Sequence, residues 1–118
     1  MSTTGERAEI EVDPARVAAW LVENAALQVI DVRELSEHEA GHIEGTRHLG
    51  LVQLASQADT LERERAIVFY CRVGSRSAMA AQAFRASGFE AYSMRGGLAR
   101  WAQEGRPLSP EGGYVADH

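Results

Sequence analysis

An α/β layer fold with a mainly parallel sheet is what this sequence predicts, and three observations carry the prediction. Short apolar runs at 27–32, 66–70 and 89–94 alternate along the chain with segments of helical periodicity. The runs at 27–32 and 66–70 are nearly unbroken, as befits strands covered on both faces. Cap and turn residues stand at the joints: Asp13-Pro14, Gly41, Gly88 and Gly105.

In chain order, residues 1–7 read as a loose leader, and 8–12 as the alternating start of a strand. Asp13 supplies an N-cap and Pro14 the first helical position, with Val17, Trp20, Leu21 and Ala25 following at helical spacing. The strand at 27–32 closes on Asp31-Val32-Arg33-Glu34. Ser36 and Glu39 have capping-box spacing, so a short helix is expected to begin there and to end at Gly41. The stretch 49–54 is ambiguous, and reads as a brief strand and then a helical turn toward Asp59. Residues 75–87 form the clearest helix, rich in alanine and stopped by Gly88. A strand at 89–94 and a last helix at 97–104 follow. The domain is expected to occupy 8–108, with 109–118 as a Gly-containing, mobile C-terminal tail.

A chain of 118 residues suits one domain around one core. The formal net charge of −5 argues against general nucleic-acid binding, which a basic surface serves. Any anion site must therefore be a local feature working against the overall field. A single cysteine excludes an internal disulfide and a Cys-rich zinc site. His38, His42, His48 and His118 lack the His-Glu-x-x-His arrangement, so neither a metal nor a cofactor is expected. The N-terminus carries no apolar secretory segment, and no stretch is long and apolar enough to cross a bilayer. The expected setting is cytoplasmic and thiol-reducing, with no membrane or nucleic-acid partner.

The candidate site is the stretch Tyr70-Cys71-Arg72-Val73-Gly74-Ser75-Arg76-Ser77, where an apolar strand stops at the only cysteine and a helix opens. A thiol is a useful nucleophile only as its thiolate, which helix N-termini and neighbouring cations favour. Gly74 lets the loop curl and aim backbone N–H groups inward. Arg72 and Arg76 bring fork-shaped donors suited to oxyanions. Val73, Ser75 and Ser77 complete the ring, so the substrate-binding set is Arg72, Val73, Gly74, Ser75, Arg76 and Ser77 around the nucleophile Cys71. The alternatives are a small buried hydrophobe at Cys71 and solvated surface charges at the arginines. In open parallel sheets, sites form beyond the carboxyl ends of strands. Asp31 and Arg33 end a second strand on the same rim and form a supporting pair of residues.

In these residues the chain resembles the rhodanese family of sulfurtransferases, over roughly 8–108. Four stretches carry the likeness: Val29-Ile30-Asp31-Val32-Arg33-Glu34, Gly41-His42-Ile43-Glu44-Gly45-Thr46, the cysteine loop, and Met94-Arg95-Gly96-Gly97-Leu98-Ala99-Arg100-Trp101. The resemblance implies a three-layer α/β/α domain with a mainly parallel sheet of about five strands. It also implies a cycle in which Cys71 takes the outer sulfur of a small anionic donor such as thiosulfate, carries it as a persulfide, and passes it to an external thiol or protein acceptor. Thr46, Gly50 and His38 depart from the family's usual alanine, proline and aromatic residue. A phosphatase of similar architecture has a histidine before its cysteine and a longer loop. Here Tyr70 precedes Cys71, and four residues separate it from Arg76.

Three function classes fit the sequence: a sulfurtransferase, a persulfide carrier or relay module with low turnover, and, behind both, a cysteine-dependent phosphatase. Asp31 is expected to accept backbone N–H bonds at its strand end. Arg33 and Glu34 are expected to pair with Glu39 or Glu44. His42 reads as a packed structural histidine, because sulfur transfer from a thiolate needs no base. Trp20 and Trp101 read as core or rim residues, and Gly96-Gly97 as a source of backbone freedom near the site. An Arg76→Ala change is expected to weaken donor binding with little loss of stability.

Overall fold

A computed structural model describes residues 10–117. Five strands form one sheet: β1 (Glu11–Val12), β2 (Gln28–Asp31), β3 (Arg47–His48), β4 (Ile67–Tyr70) and β5 (Ala91–Met94). Their order across the sheet is β1-β5-β4-β2-β3, and every pairing is parallel. Five α-helices connect them: α1 (Pro14–Glu23), α2 (Leu35–Ala40), α3 (Leu51–Gln57, running into a 3₁₀ turn at Ala58–Thr60), α4 (Ser75–Ala86) and α5 (Gly97–Gln103). The leader at 1–7 and the start of the domain at Ala8 fall outside the described residues.

The period of two along β4 builds the layers. Ile67, Phe69 and Cys71 face one core with Ile30, Leu54, Ala80, Ala81 and Phe84, under α3 and α4. Val68 and Tyr70 face the opposite core with Val17, Val29, Met94, Leu98 and Trp101, under α1 and α5. All four β4 residues are buried, which accounts for the unbroken apolar run. The parity matters for the site: Cys71, one step past the strand, inherits the α4 side.

Connections from β4 and β2 diverge, through α4 to β5 on one side and through α2 to β3 on the other. The carboxyl ends of these adjacent strands therefore flank a crevice of the kind where α/β sheets bind ligands. Cys71 follows one strand end and Asp31 closes the other.

Several elements differ locally from the sequence reading. Helix α2 begins at Leu35, not at a Ser36 cap: Glu37 reaches back to accept the Glu34 N–H at 2.9 Å, so the box is Glu34/Glu37. The third strand is Arg47–His48, ahead of the ambiguous 49–54 stretch, which supplies α3 instead. Asp13 occupies the N-cap position of α1, but its carboxylate bonds no helix amide and instead meets Arg95 and Arg100 at 3.3 and 3.4 Å. The segment after Leu108, read from sequence as a mobile tail, lies along the end of α2. Ser109 and His42 exchange backbone hydrogen bonds, and Tyr114 N–H donates to Ala40 O.

Candidate active site

Cys71 sits in the turn between β4 and α4. Its sulfur lies 3.1 Å from the Gly74 amide and 3.4 Å from the Ser77 amide, both of which donate to it. The turn is possible because Gly74 adopts φ +110°, which a side chain would strain. Ser77, fully buried, places its hydroxyl 3.5 Å from the sulfur, donates to Gly74 O at 3.2 Å, and shares a 2.8 Å hydrogen bond with the buried Ser93 hydroxyl. Two amides at the start of a twelve-residue helix aimed at one sulfur stabilise negative charge there.

The loop is also closed. Cys71 has 0% of its surface exposed and belongs to the inner core. Two amides converge on the thiol, and the sulfur is covered. Val73 and Ser75 are exposed, and Arg72 and Gly74 are half-buried. Arg72 has its guanidinium 4.0 Å from the exposed Asp117.

Arg76 does not stand free over the loop. Its Nη1 and Nη2 groups donate to the two carboxylate oxygens of Glu37 at 3.0 and 3.2 Å. Burial alone would raise the Glu37 carboxyl. The Arg76 hydrogen bonds, the Glu34 amide and nearby guanidinium charge outweigh burial and hold it below its ordinary value of 4.5. The same carboxylate raises the pKa of Arg76.

Asp31 and Arg33 form a buried pair, which corrects the expected partners Glu39 and Glu44. Arg33 Nε and Nη2 donate to Asp31 at 2.9 and 2.6 Å, and Nη2 also donates to Gly41 O at 2.7 Å. The Arg33 amide donates to Asp31 Oδ1, as expected for a strand-end aspartate. Arg33 Nη1 is buried without a partner among the described residues. Burial pushes the Asp31 carboxyl up, but the bonds and charge of Arg33, with help from His38, hold it below 3.8. The Arg33 guanidinium lies over the Tyr70 ring, 5.9 Å from its centroid. It fixes the end of α2, and α2 carries Glu37.

Three histidines gather beside this pair. His38 contacts Asp31 Oδ2 at 2.9 Å and stacks on His42 with ring centroids 3.9 Å apart. His42 Nδ1 donates to His38 O and His48 Nε2 to Arg33 O, both at 2.7 Å. The unusual residues of this region thus bond locally. Thr46 does likewise, donating to Ile43 O at 2.6 Å and sharing a 3.0 Å bond with the Tyr70 hydroxyl. Among the described residues, no three His, Cys, Asp or Glu side chains are placed to hold a metal ion, and no helix is long and apolar enough to cross a membrane.

The strand β5 to α5 turn grips the loop from behind. Leu98 and Ala99 amides donate to Cys71 O and Arg72 O at 2.8 and 2.9 Å. A Cβ on Gly97, which has φ +62°, would lie 2.5 Å from Arg72 C and O and 2.6 Å from Cys71 O. Sequence reasoning missed Glu37 and Ser93 as neighbours of the loop. Glu37 is legible as a capping partner if the box is placed two residues earlier, whereas nothing in the sequence singles out Ser93.

A parallel α/β/α domain with a cysteine cradled by amides beyond its central strand is the class of protein these features define. A family model for the rhodanese-like domain matches residues 13–104, and the chain belongs to that family. The protein YqhL of Bacillus subtilis is 40% identical over 75 residues, 63% of this chain and 60% of that protein. Less than two thirds of that relative's length is thus spanned. The thiosulfate sulfurtransferase GlpE of Coxiella burnetii is 32% identical over 89 residues, covering 74% of this chain and 83% of GlpE. A crystal structure of a rhodanese-related protein from Thermoplasma volcanium superposes with a TM-score of 0.77 at 28% identity, over 83% of this chain and 95% of that one.

Proposed function

We propose that this domain moves a sulfane sulfur from an anionic donor such as thiosulfate to a thiophilic acceptor, through a persulfide on Cys71. The observation that carries the reading is the pair of amides, from Gly74 and Ser77, donating to the cysteine sulfur. Names among the relatives, thiosulfate sulfurtransferase and sulfur carrier, support the same class of chemistry. In the first half-reaction the Cys71 thiolate attacks the outer sulfur of thiosulfate; the S–S bond of the donor breaks and sulfite departs with the bonding pair. The persulfide anion left on Cys71 takes the place of the thiolate under the amides. In the second half-reaction a nucleophile such as cyanide or a thiolate attacks the terminal sulfur, and Cys71 leaves as the thiolate. No oxidant or reductant is consumed. With one cysteine in the chain, the acceptor comes from outside it.

Arg72 and Arg76 are the candidate contacts for the donor's oxygens. Access requires the Val73–Gly74 turn to lift from the covered sulfur. That closure supports a second reading, a sulfur carrier that turns over slowly on small molecules and unloads to a protein acceptor. The test is thiocyanate formation from thiosulfate and cyanide, with the intact mass of the protein read after donor treatment alone. A gain of one sulfur atom together with rapid turnover, both lost in Cys71→Ser, is the result expected. The mass gain with negligible turnover selects the carrier. Turnover that survives Cys71→Ser removes both. Phosphate esters are expected not to be hydrolysed.

A further inference from the structure

Glu37 lies on α2, away from the β4–α4 turn in sequence, yet the residue is 2% exposed and its carboxylate is committed on both oxygens. Its rotamer is fixed from below by the Glu34 amide on Oε1. From above it takes both Nη groups of Arg76, a residue 39 positions away that precedes Ser77, whose amide donates to the sulfur. The Nε–H of Arg76 makes no hydrogen bond among the described residues. A free arginine samples many rotamers, and a two-point carboxylate clasp removes most of that freedom.

We propose that Glu37 is the positioning residue for donor recognition: it clasps Arg76 by its two Nη groups and holds the remaining Nε edge ready for the oxygens of an oxyanionic sulfur donor. This rests on the sulfurtransferase reading above and adds to it a residue outside the cysteine loop that acts on donor recognition through Arg76. A residue that merely neutralised Arg76 would have the opposite effect, since its removal would free a cation and strengthen oxyanion binding.

The test compares two donors on the full chain. Thiosulfate carries an oxyanion, whereas 2-hydroxyethyl hydropersulfide carries a transferable sulfur and none. In the second, the Cys71 thiolate attacks the outer sulfur and 2-hydroxyethanethiolate leaves. The readout is the ratio of kcat/KM for thiosulfate to kcat/KM for the hydropersulfide. Any loss of folded protein scales both values and cancels in the ratio. Glu37→Gln keeps an oxygen for the Glu34 amide but loses the charge and one of the two acceptors. It is expected to lower the ratio roughly tenfold, mainly through the KM for thiosulfate, as for one misplaced charge-assisted contact. In an Arg76→Ala background the same change is expected to leave the ratio where Arg76→Ala put it. Glu37→Asp, which keeps the charge on a shorter stem, lowers the ratio likewise and serves if the glutamine variant does not fold. An unchanged or raised ratio in the folded variants overturns the assignment of Glu37. A wild-type protein that gains no sulfur from either donor overturns the sulfurtransferase reading itself, and this inference with it.

Discussion

Replacing Gly97 with alanine tests the grip of α5 on the cysteine loop. The new Cβ would meet Arg72 C and O at 2.5 Å and Cys71 O at 2.6 Å, well inside the 3.4 Å where ordinary contact begins. All three are backbone atoms, and the two carbonyls already accept the Leu98 and Ala99 amides, so neither side gives way without breaking hydrogen bonds. The left-handed φ of +62° adds its own penalty, about 1–2 kcal/mol for a residue with a side chain. Forcing a methyl into a packed contact costs about 1–3 kcal/mol more. Gly97→Ala is therefore expected to destabilise by roughly 2–5 kcal/mol. The control is Gly105→Ala: φ is +79°, but nothing lies within 4 Å of its Cβ, so only the backbone penalty applies. Urea unfolding of the two variants measures the difference. Equal midpoints, with equal slopes, refute the idea that close approach rather than φ alone requires glycine at position 97.

Acid is expected to destabilise the fold in two stages. Burial, opposed by Asp31 and assisted by His42 and His48, keeps His38 below its ordinary 6.5. The folded state thus binds fewer protons than the unfolded chain as pH falls through and below 6.5, and stability drops over that window. Glu37 and Asp31, both held below their ordinary 4.5 and 3.8, add a second loss below those values. Urea midpoints across pH 3–8 check this, and a midpoint that rises on acidification contradicts it. Arg76→Ala is expected to raise the KM for thiosulfate but, contrary to the sequence expectation, not to spare the fold. It strips the counter-ion from a buried carboxylate, at roughly 2–4 kcal/mol, less than a fully buried pair because the Arg76 side chain is 21% exposed. Thermal unfolding reads that loss. Iodoacetamide is expected to alkylate Cys71 in the folded protein at least ~100-fold more slowly than in the urea-unfolded chain. Similar rates in both states contradict the closed loop.

Fold and site were legible to different degrees, for physical reasons. Buried parallel strands leave an unbroken apolar signature, so β2 and β4 stood out. The two-residue edge strand Arg47–His48 is exposed or half-buried and leaves none. The cysteine loop was legible because its chemistry sits in adjacent residues: a thiol, a left-handed glycine and a helix start. What governs Arg76 lies 39 residues upstream on another helix, and local sequence does not report such pairings. The sequence pairs Arg33 with Glu39 or Glu44 downstream, but the partner with fixed geometry is Asp31, two residues back, where the strand end and side chain close a ring. Closure of the loop over the sulfur depends on packing from β4, α4 and β5 together, which no single segment encodes.

The main chain at residues 71–72 is hooked by the Leu98 and Ala99 amides, and that anchoring decides where extra volume can go. An added atom on the Cys71 side chain has no room to push the strand end backward. On the other side the Gly74 amide, 3.1 Å away, closes over the sulfur. Volume added there is thus contained between an anchored main chain and a donor that already faces it.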